Sequence, residues 1–241
     1  MRHPYINCAF NFYYGEVSMN KPAVPNHLMP GKKFLFDPRE LNEIRKKAVG
    51  LPTDEAILLI TRELDRKYPG HICKKQKWMF NNAGGAMGQL MLLHASIREY
   101  IIIFGSCIGT EGHSGRYASE VFDFLFKGEL VCEYEGRFEP EINTEKSEYP
   151  LYLGAGVIKH YRIKDEAWML EYTRGNIPKM FPFGTFDSIF STLDFRTIAR
   201  LALHYSQLTL AGIFFRGKDL TALLKFLAFI ASVIFLCTVV M

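Results

Sequence analysis

Two short stretches carry the residues best suited to chemistry. In residues 113–128, HSGRYASEVFDFLFKG, Asp123 stands inside an apolar and aromatic run, and in residues 168–175, WMLEYTRG, Glu171 does the same. In a strand, alternate side chains face opposite ways, so Asp123 shares a face with Val121 and Leu125 while Phe122, Phe124 and Phe126 take the other. Glu171 shares its face with Met169 and Thr173. A carboxylate on a buried face is costly unless it is protonated, paired or hydrogen-bonded. Two of them in one desolvated cavity cannot both ionise cheaply and would titrate as a pair holding one proton. That suits general acid–base work on an apolar substrate, one group donating while the other steadies charge or accepts. The competing reading is a structural pair bonded to Tyr, Arg or backbone donors.

The surrounding residues divide in the same way. Glu120 precedes Asp123 by three and falls on the opposite strand face, where a salt bridge to Arg116 or Arg174 is expected. His113 has no HxH or HxxxH companion for a metal site and is expected to support the carboxylate network. Tyr100, Tyr117, Trp168, Tyr172, Phe104 and Met91 are candidates for an apolar substrate lining, with hydroxyls able to hold a proton-bearing carboxyl; ordinary core packing is their alternative. No cofactor or metal is expected. The five cysteines form no CxxC pair, no GxSxG elbow occurs, and Gly84, Gly85 and Gly88 are followed by neither Gly-Lys-Ser/Thr nor Rossmann spacing. The 29 basic and 25 acidic residues are interleaved, giving little reason to expect nucleic acid.

The elements that must position these groups follow from punctuation and period. Asp37, Pro38 and Glu40 form a capping box with a pre-set first turn for a short helix that Gly50 and Pro52 end. A second helix is expected over 53–67, with Ile57, Leu58, Ile60 and Leu64 as its apolar stripe. Strands are expected at 100–104, 117–125, 129–134, 149–153, 156–163 and 167–173, short and broken by turn residues, which predicts an antiparallel barrel or sandwich. The acidic insert 135–148 reads as a solvated loop. Residues 177–190 and 194–214 read as two greasy helices, a lid lying on a membrane over the barrel mouth, with ordinary packing against the sheet as the alternative. Residues 1–33 read as irregular and without a signal peptide. Residues 220–241 are apolar except for Lys225 and, as a helix, would reach about 33 Å, enough to embed in a bilayer.

From about Phe34 to Leu210 the chain resembles the family of fungal C-8 sterol isomerase and sigma-1 receptor. The resemblance is carried by YPGH at 68–71, FNNAGG at 80–85, LLHAS at 92–96, Glu99-Tyr100, HSGRY at 113–117, Glu120, Asp123, WMLEY at 168–172, Arg174-Gly175, Ile177-Pro178 and FSTLDF at 190–195. It implies a mainly β fold: a cupin-like antiparallel barrel with N-terminal helices across 34–175 and two amphipathic membrane-facing lid helices across 176–215; the hydrophobic tail helix expected at 220–241 extends beyond the family's usual end. The resemblance further implies residence in the endoplasmic reticulum membrane and a homotrimer. By the resemblance, Asp123 and Glu171 are the facing carboxylates that bind a cationic amine in the receptor branch. Tyr100 matches the tyrosine orienting the glutamate, and His113 and Glu120 match polar positions implicated in isomerase activity. Family members usually carry a transmembrane helix ahead of the Phe34-like start. Its absence from residues 1–33 leads to the expectation that attachment has moved to the other terminus, with an incomplete N-terminus as the alternative. The implied reaction shifts a sterol double bond from C8=C9 to C7=C8. Sequence around 159–164, 182–184 and 191–195 leans toward the isomerase branch, the alternative being a receptor that binds sterols or cationic amphiphilic amines without turnover.

Overall fold

The computed structural model describes residues 34–216. Helix α1 (Pro38–Ala48) begins as its sequence predicts: Asp37 Oδ1 accepts from the Arg39 N–H at 2.9 Å, with Pro38 in the first turn. The capping box does not close. Glu40 Oε2 instead accepts from the Tyr68 hydroxyl at 2.6 Å, and that hydroxyl takes the Asp37 N–H at 3.4 Å. A tertiary partner has replaced the local one. Helix α2 (Thr53–Lys67) buries Ala56, Ile57, Ile60 and Leu64; Leu58 lies off that 3.6-residue period and is exposed.

Nine strands follow among the described residues: β1 (Trp78–Ala83), β2 (Ala86–Ala95), β3 (Glu99–Ser106), β4 (Thr110–His113), β5 (Ser119–Tyr134), β6 (Glu141–Thr144), β7 (Leu151–Leu153), β8 (Lys159–Ile163) and β9 (Ala167–Gly175). They run in the order β1-β2-β3-β9-β5-β8-β4, with β6 and β7 also paired to β5, and every pairing given is antiparallel. Gly84 and Gly85 join β1 to β2 at φ +66° and +83°, the left-handed pair that a two-residue hairpin asks for. A side chain at Gly84 would strike the His113 carbonyl. The closeness has a function in the fold, since the His113 N–H donates to Gly84 O at 2.8 Å and brings the last strand of the order back to the first hairpin. The result is a nearly closed, cupin-like barrel.

Two sequence expectations change here. The strands expected at 117–125 and 129–134 are one strand, β5, whose register slips between Leu125 and Lys127 and lets it turn from one side of the barrel to the other. Part of the acidic insert is strand β6, paired with Glu129–Cys132 of β5 rather than looping free.

The helices α1 and α2 cover the outside of the sheet, burying Phe122, Phe124, Phe126, Leu170 and Tyr172. Each such aromatic is about 2–3 kcal/mol of burial. The inward faces of β2, β3, β5 and β9 supply Leu92, Ile102, Phe104, Leu125 and Met169 to the interior. Over the mouth lie a 3-10 turn (Ile177–Lys179), α3 (Phe181–Asp187), a π-type turn (Ser188–Thr192) and α4 (Phe195–Arg216). The Tyr205 hydroxyl donates to Ser96 O at 2.6 Å, and the Gly85 N–H donates to Asp187 Oδ2 at 3.1 Å, tying this lid to the rim.

The expected fold class needs correction. The structure is about 33% helix and 36% strand, a mixed composition rather than mainly β. Among the described residues no helix is long and apolar enough to cross a membrane. On the described residues, the expected membrane-spanning helix and the endoplasmic reticulum membrane location that the family resemblance implied are therefore corrected; the tail at 220–241, where that helix was expected, lies outside them, as do residues 1–33. The apolar circumference of α4, taken in sequence as membrane-facing, is spent in part on the interior, where Ile198, Leu201, Ala202 and Tyr205 line the cavity.

Candidate active site

Because β5 and β9 are antiparallel neighbours, their register decides which side chains meet. Asp123 is directly opposite Glu171, and Ile102 of β3 is opposite Glu171 on the other side. Both carboxylates enter a cavity of about 240 Å³ between the barrel interior and the lid. Its walls are chiefly apolar, with Leu92, Phe104 and Met169 from the strands and Phe181 and Leu201 from the lid.

The polar groups converge at the end where the two carboxylates meet. The Tyr100 hydroxyl, from β3, donates to Glu171 Oε1 at 2.5 Å. Lys159 Nζ, from β8, donates to Asp123 Oδ2 at 2.6 Å, and both members of that ion pair are almost wholly buried. The backbone of Lys159 is clamped by Ser114, whose N–H donates to Lys159 O at 2.8 Å and whose Oγ accepts from the Lys159 N–H at 2.9 Å. The serine of the HSGRY stretch thus fixes the strand edge that aims the lysine.

These neighbours sort the protons. Burial, then the adjacent Asp123 charge, pushes the Glu171 carboxyl up to about 7, against the opposing pull of the Tyr100 hydroxyl and the Lys159 ammonium. Glu171 borders the cavity and so retains some accessible surface, but dense protein surrounds it on the other sides. Burial is the largest single influence on the Lys159 ammonium and lowers it; Asp123 at contact distance, with Cys132 and Tyr134 beside it, pushes the other way, and the net shift is upward. Burial, then the Glu171 charge, drives the Tyr100 hydroxyl upward, and burial raises Tyr117 to about 12, so both stay protonated donors. The site therefore holds one fixed ion pair beside one carboxyl that titrates near neutrality.

The structure brings together Asp123, Glu171, Tyr100, Tyr117 and Phe104, and sets His113 on the cavity lining with its ring exposed. It leaves four expected residues elsewhere. Glu120 is on the other face of β5, accepting from Arg174 Nε at 2.7 Å and the Tyr152 hydroxyl at 2.6 Å. Met91, Trp168 and Tyr172 pack in the outer core against α1 and α2 and do not line the cavity. Trp168 and Tyr172 alternate out of phase with Glu171, a signal that their aromatic character obscured. Lys159 was not anticipated. It stands in the basic stretch KHYRIK, yet Lys159, Tyr161 and Ile163 alternate on one face of β8, and that period was legible. Among the described residues no group of three or more His, Cys, Asp and Glu side chains is placed to hold a metal ion.

The fold and site define a nearly closed, cupin-like barrel with a carboxylate pair under a helical lid, and comparison assigns the family. Residues 17–216 match the family described as ERG2 and Sigma1 receptor like protein, and the chain belongs to that family. It is 42% identical over 169 residues to C-8 sterol isomerase erg2 of Aspergillus fumigatus, covering 68% of this chain and 70% of that protein. It is 38% identical over 186 residues to sigma non-opioid intracellular receptor 1 of Danio rerio, covering 74% of this chain and 81% of the receptor. Among solved structures, KdgF from Halomonas sp. is similar at a TM-score of 0.35 and 11% identity, covering 44% of this chain and 93% of that one.

Proposed function

We propose that the chain is a cofactor-independent C-8 sterol isomerase, moving a sterol double bond from C8=C9 to C7=C8. The observation that carries this reading is the pairing of an ionised and a protonatable carboxyl, Asp123 and Glu171, directly opposite each other in an apolar cavity. Glu171, holding a proton near neutrality, donates it to C9 and leaves a carbocation at C8. The Asp123 carboxylate stabilises that cation and accepts the proton lost from C7. Return of that proton to Glu171, its cross-strand neighbour, restores the starting state. One proton enters the sterol and one leaves, so the balance calls for no oxidant or reductant.

Tyr100 donates to the carboxylate that forms on Glu171, acting where charge develops. Phe104, Tyr117 and Met169 provide contact surface for the rings. An amphiphilic amine copies the charge of the intermediate and should inhibit. The relative named C-8 sterol isomerase, at 42% identity, supports the choice of reaction.

The test is rescue of a fungal strain lacking its own C-8 sterol isomerase, with sterols profiled for loss of the Δ8 species. The intact protein should rescue; Glu171→Gln and Asp123→Asn, expressed and folded, should not. Failure of a well-expressed intact protein that still binds an apolar amine would replace this reading with a receptor-type one, the branch to which the Danio rerio relative belongs by name.

A further inference from the structure

The charged pair of this cavity contains a residue that acid–base chemistry between two carboxylates does not itself require. Lys159 brings a full positive charge into the interior, with Nζ 2.6 Å from Asp123 and 5.6 Å from the Tyr161 ring centroid. An isolated buried ammonium is costly, so in the resting site its partner is ionised. Among the described residues, the other titratable groups around Glu171 are Tyr100 from β3, Tyr117 ahead of β5 and Tyr161 from β8, while the lid's titratable group is Tyr205, already bound to Ser96 O, and His113 of β4 is exposed at the lining. All four tyrosines are shifted upward by burial and stay neutral. The charges to be counted are therefore Asp123, Lys159 and Glu171.

We infer that Lys159 sets the ligand preference of this cavity: by cancelling Asp123 it confines the mobile proton to Glu171, so that the resting chamber is uncharged, receptive to a neutral apolar ligand, and admits a permanent cation only when that proton leaves. The inference rests on the sterol-site reading and extends it to the choice among ligands of similar shape. A cation made in place by the Glu171 proton leaves the total charge unchanged. An imported cation adds one charge in a medium of low dielectric constant, and Glu171 must ionise to offset it. Without Lys159, Asp123 and Glu171 would share one proton and present one standing negative charge, to which a cation binds with no proton released.

Isothermal titration calorimetry on the full chain in a non-ionic detergent tests this. The probes are 4-phenylbutyltrimethylammonium, whose charge does not titrate, and its neutral carbon isostere 2,2-dimethyl-6-phenylhexane. For the wild type, affinity for the ammonium should rise about tenfold per pH unit on the acid side of the Glu171 titration, with about one proton released as judged from buffers of different ionisation heat. On that same acid side the isostere should bind with no pH dependence and no proton release. Lys159→Met should flatten the ammonium profile and tighten binding at pH 6 by about tenfold or more, whereas Lys159→Arg should keep the wild-type profile. A lysine that only supports the fold would leave the proton count unmoved in every folded variant. Proton-independent ammonium binding by the wild type, an unaltered profile in Lys159→Met, or failure of the isostere to bind overturns the inference. Should Lys159→Met not fold, the wild-type proton count decides alone. Sterol turnover is read separately, so a protein with this binding profile but no isomerisation sinks the isomerase reading and leaves the charge rule standing.

Discussion

The two faces of β5 and β9 carry carboxylates in opposite circumstances. On the outer face Glu99, at the start of neighbouring β3, accepts from the Leu35 and Phe36 N–H groups and from the Tyr172 hydroxyl, at 2.8 to 3.2 Å. Glu120, across Arg174 of β9 from it, is gripped by Arg174 and Tyr152. On the inner face, one strand pleat away, Glu171 has a single hydroxyl donor and a neighbouring carboxylate. The outer acids are saturated with donors, and they fasten the chain entering α1 and the end of β9. The inner acid is undersupplied, which is what leaves its proton available. Donor count, more than burial, separates an acid that holds the fold from one that can do chemistry.

That contrast can be broken most decisively by Glu171→Gln. Turnover should fall on the order of 10³-fold, the usual scale for loss of a general acid, while the fold survives. The same variant sharpens the point through stability. Glu171 is raised in the fold, so its contribution is complete below its ordinary carboxyl range and is lost as pH rises through about 7. Denaturant titrations from pH 4 to 8 should show that decline in the wild type and lose it in Glu171→Gln. Glu99→Ala attacks the saturated side. It orphans two backbone N–H groups and a buried hydroxyl and should destabilise by about 3 kcal/mol, measured by denaturant midpoint, with turnover per folded molecule largely retained. Tyr100→Phe removes the one donor that favours ionised Glu171. The pH–rate profile should move upward by on the order of one unit, the equivalent of about 1.4 kcal/mol. Smallest is Glu120→Gln, a half-buried pairing whose loss should cost about 1 kcal/mol of stability and leave the pH–rate profile in place.

Alternation exposed much of this arrangement in the sequence. Val121, Asp123 and Leu125 against Phe122, Phe124 and Phe126 predicts both the inner and the outer face, and Tyr100 and Phe104 fall on the cavity side by the same period. Chemical character misled where it displaced period: Met91, Trp168 and Tyr172 look like a ligand lining but pack under α1 and α2. Lys159 was hidden by the basic residues around it. Nothing local could signal that Asp123 would be its partner, since 36 residues separate them and only the strand order unites them. The capping box failed for a similar reason, because Tyr68 reaches Glu40 from a different helix.

The slip in β5 has an effect on what the cavity contains. Counted in unbroken twos from Asp123 and Leu125, positions 127, 129, 131 and 133 would turn inward, admitting Lys127, Glu129 and Glu133 among the apolar walls. The extra residue reverses the phase, and Leu130 and Cys132 are the ones that reach the interior. Gly128 makes the reversal sterically feasible, at φ +80° and so close to the Glu166 carbonyl that no side chain would fit. A single displaced step in the chain thus keeps three further charges out of the chamber and preserves the sparse proton inventory on which its chemistry depends.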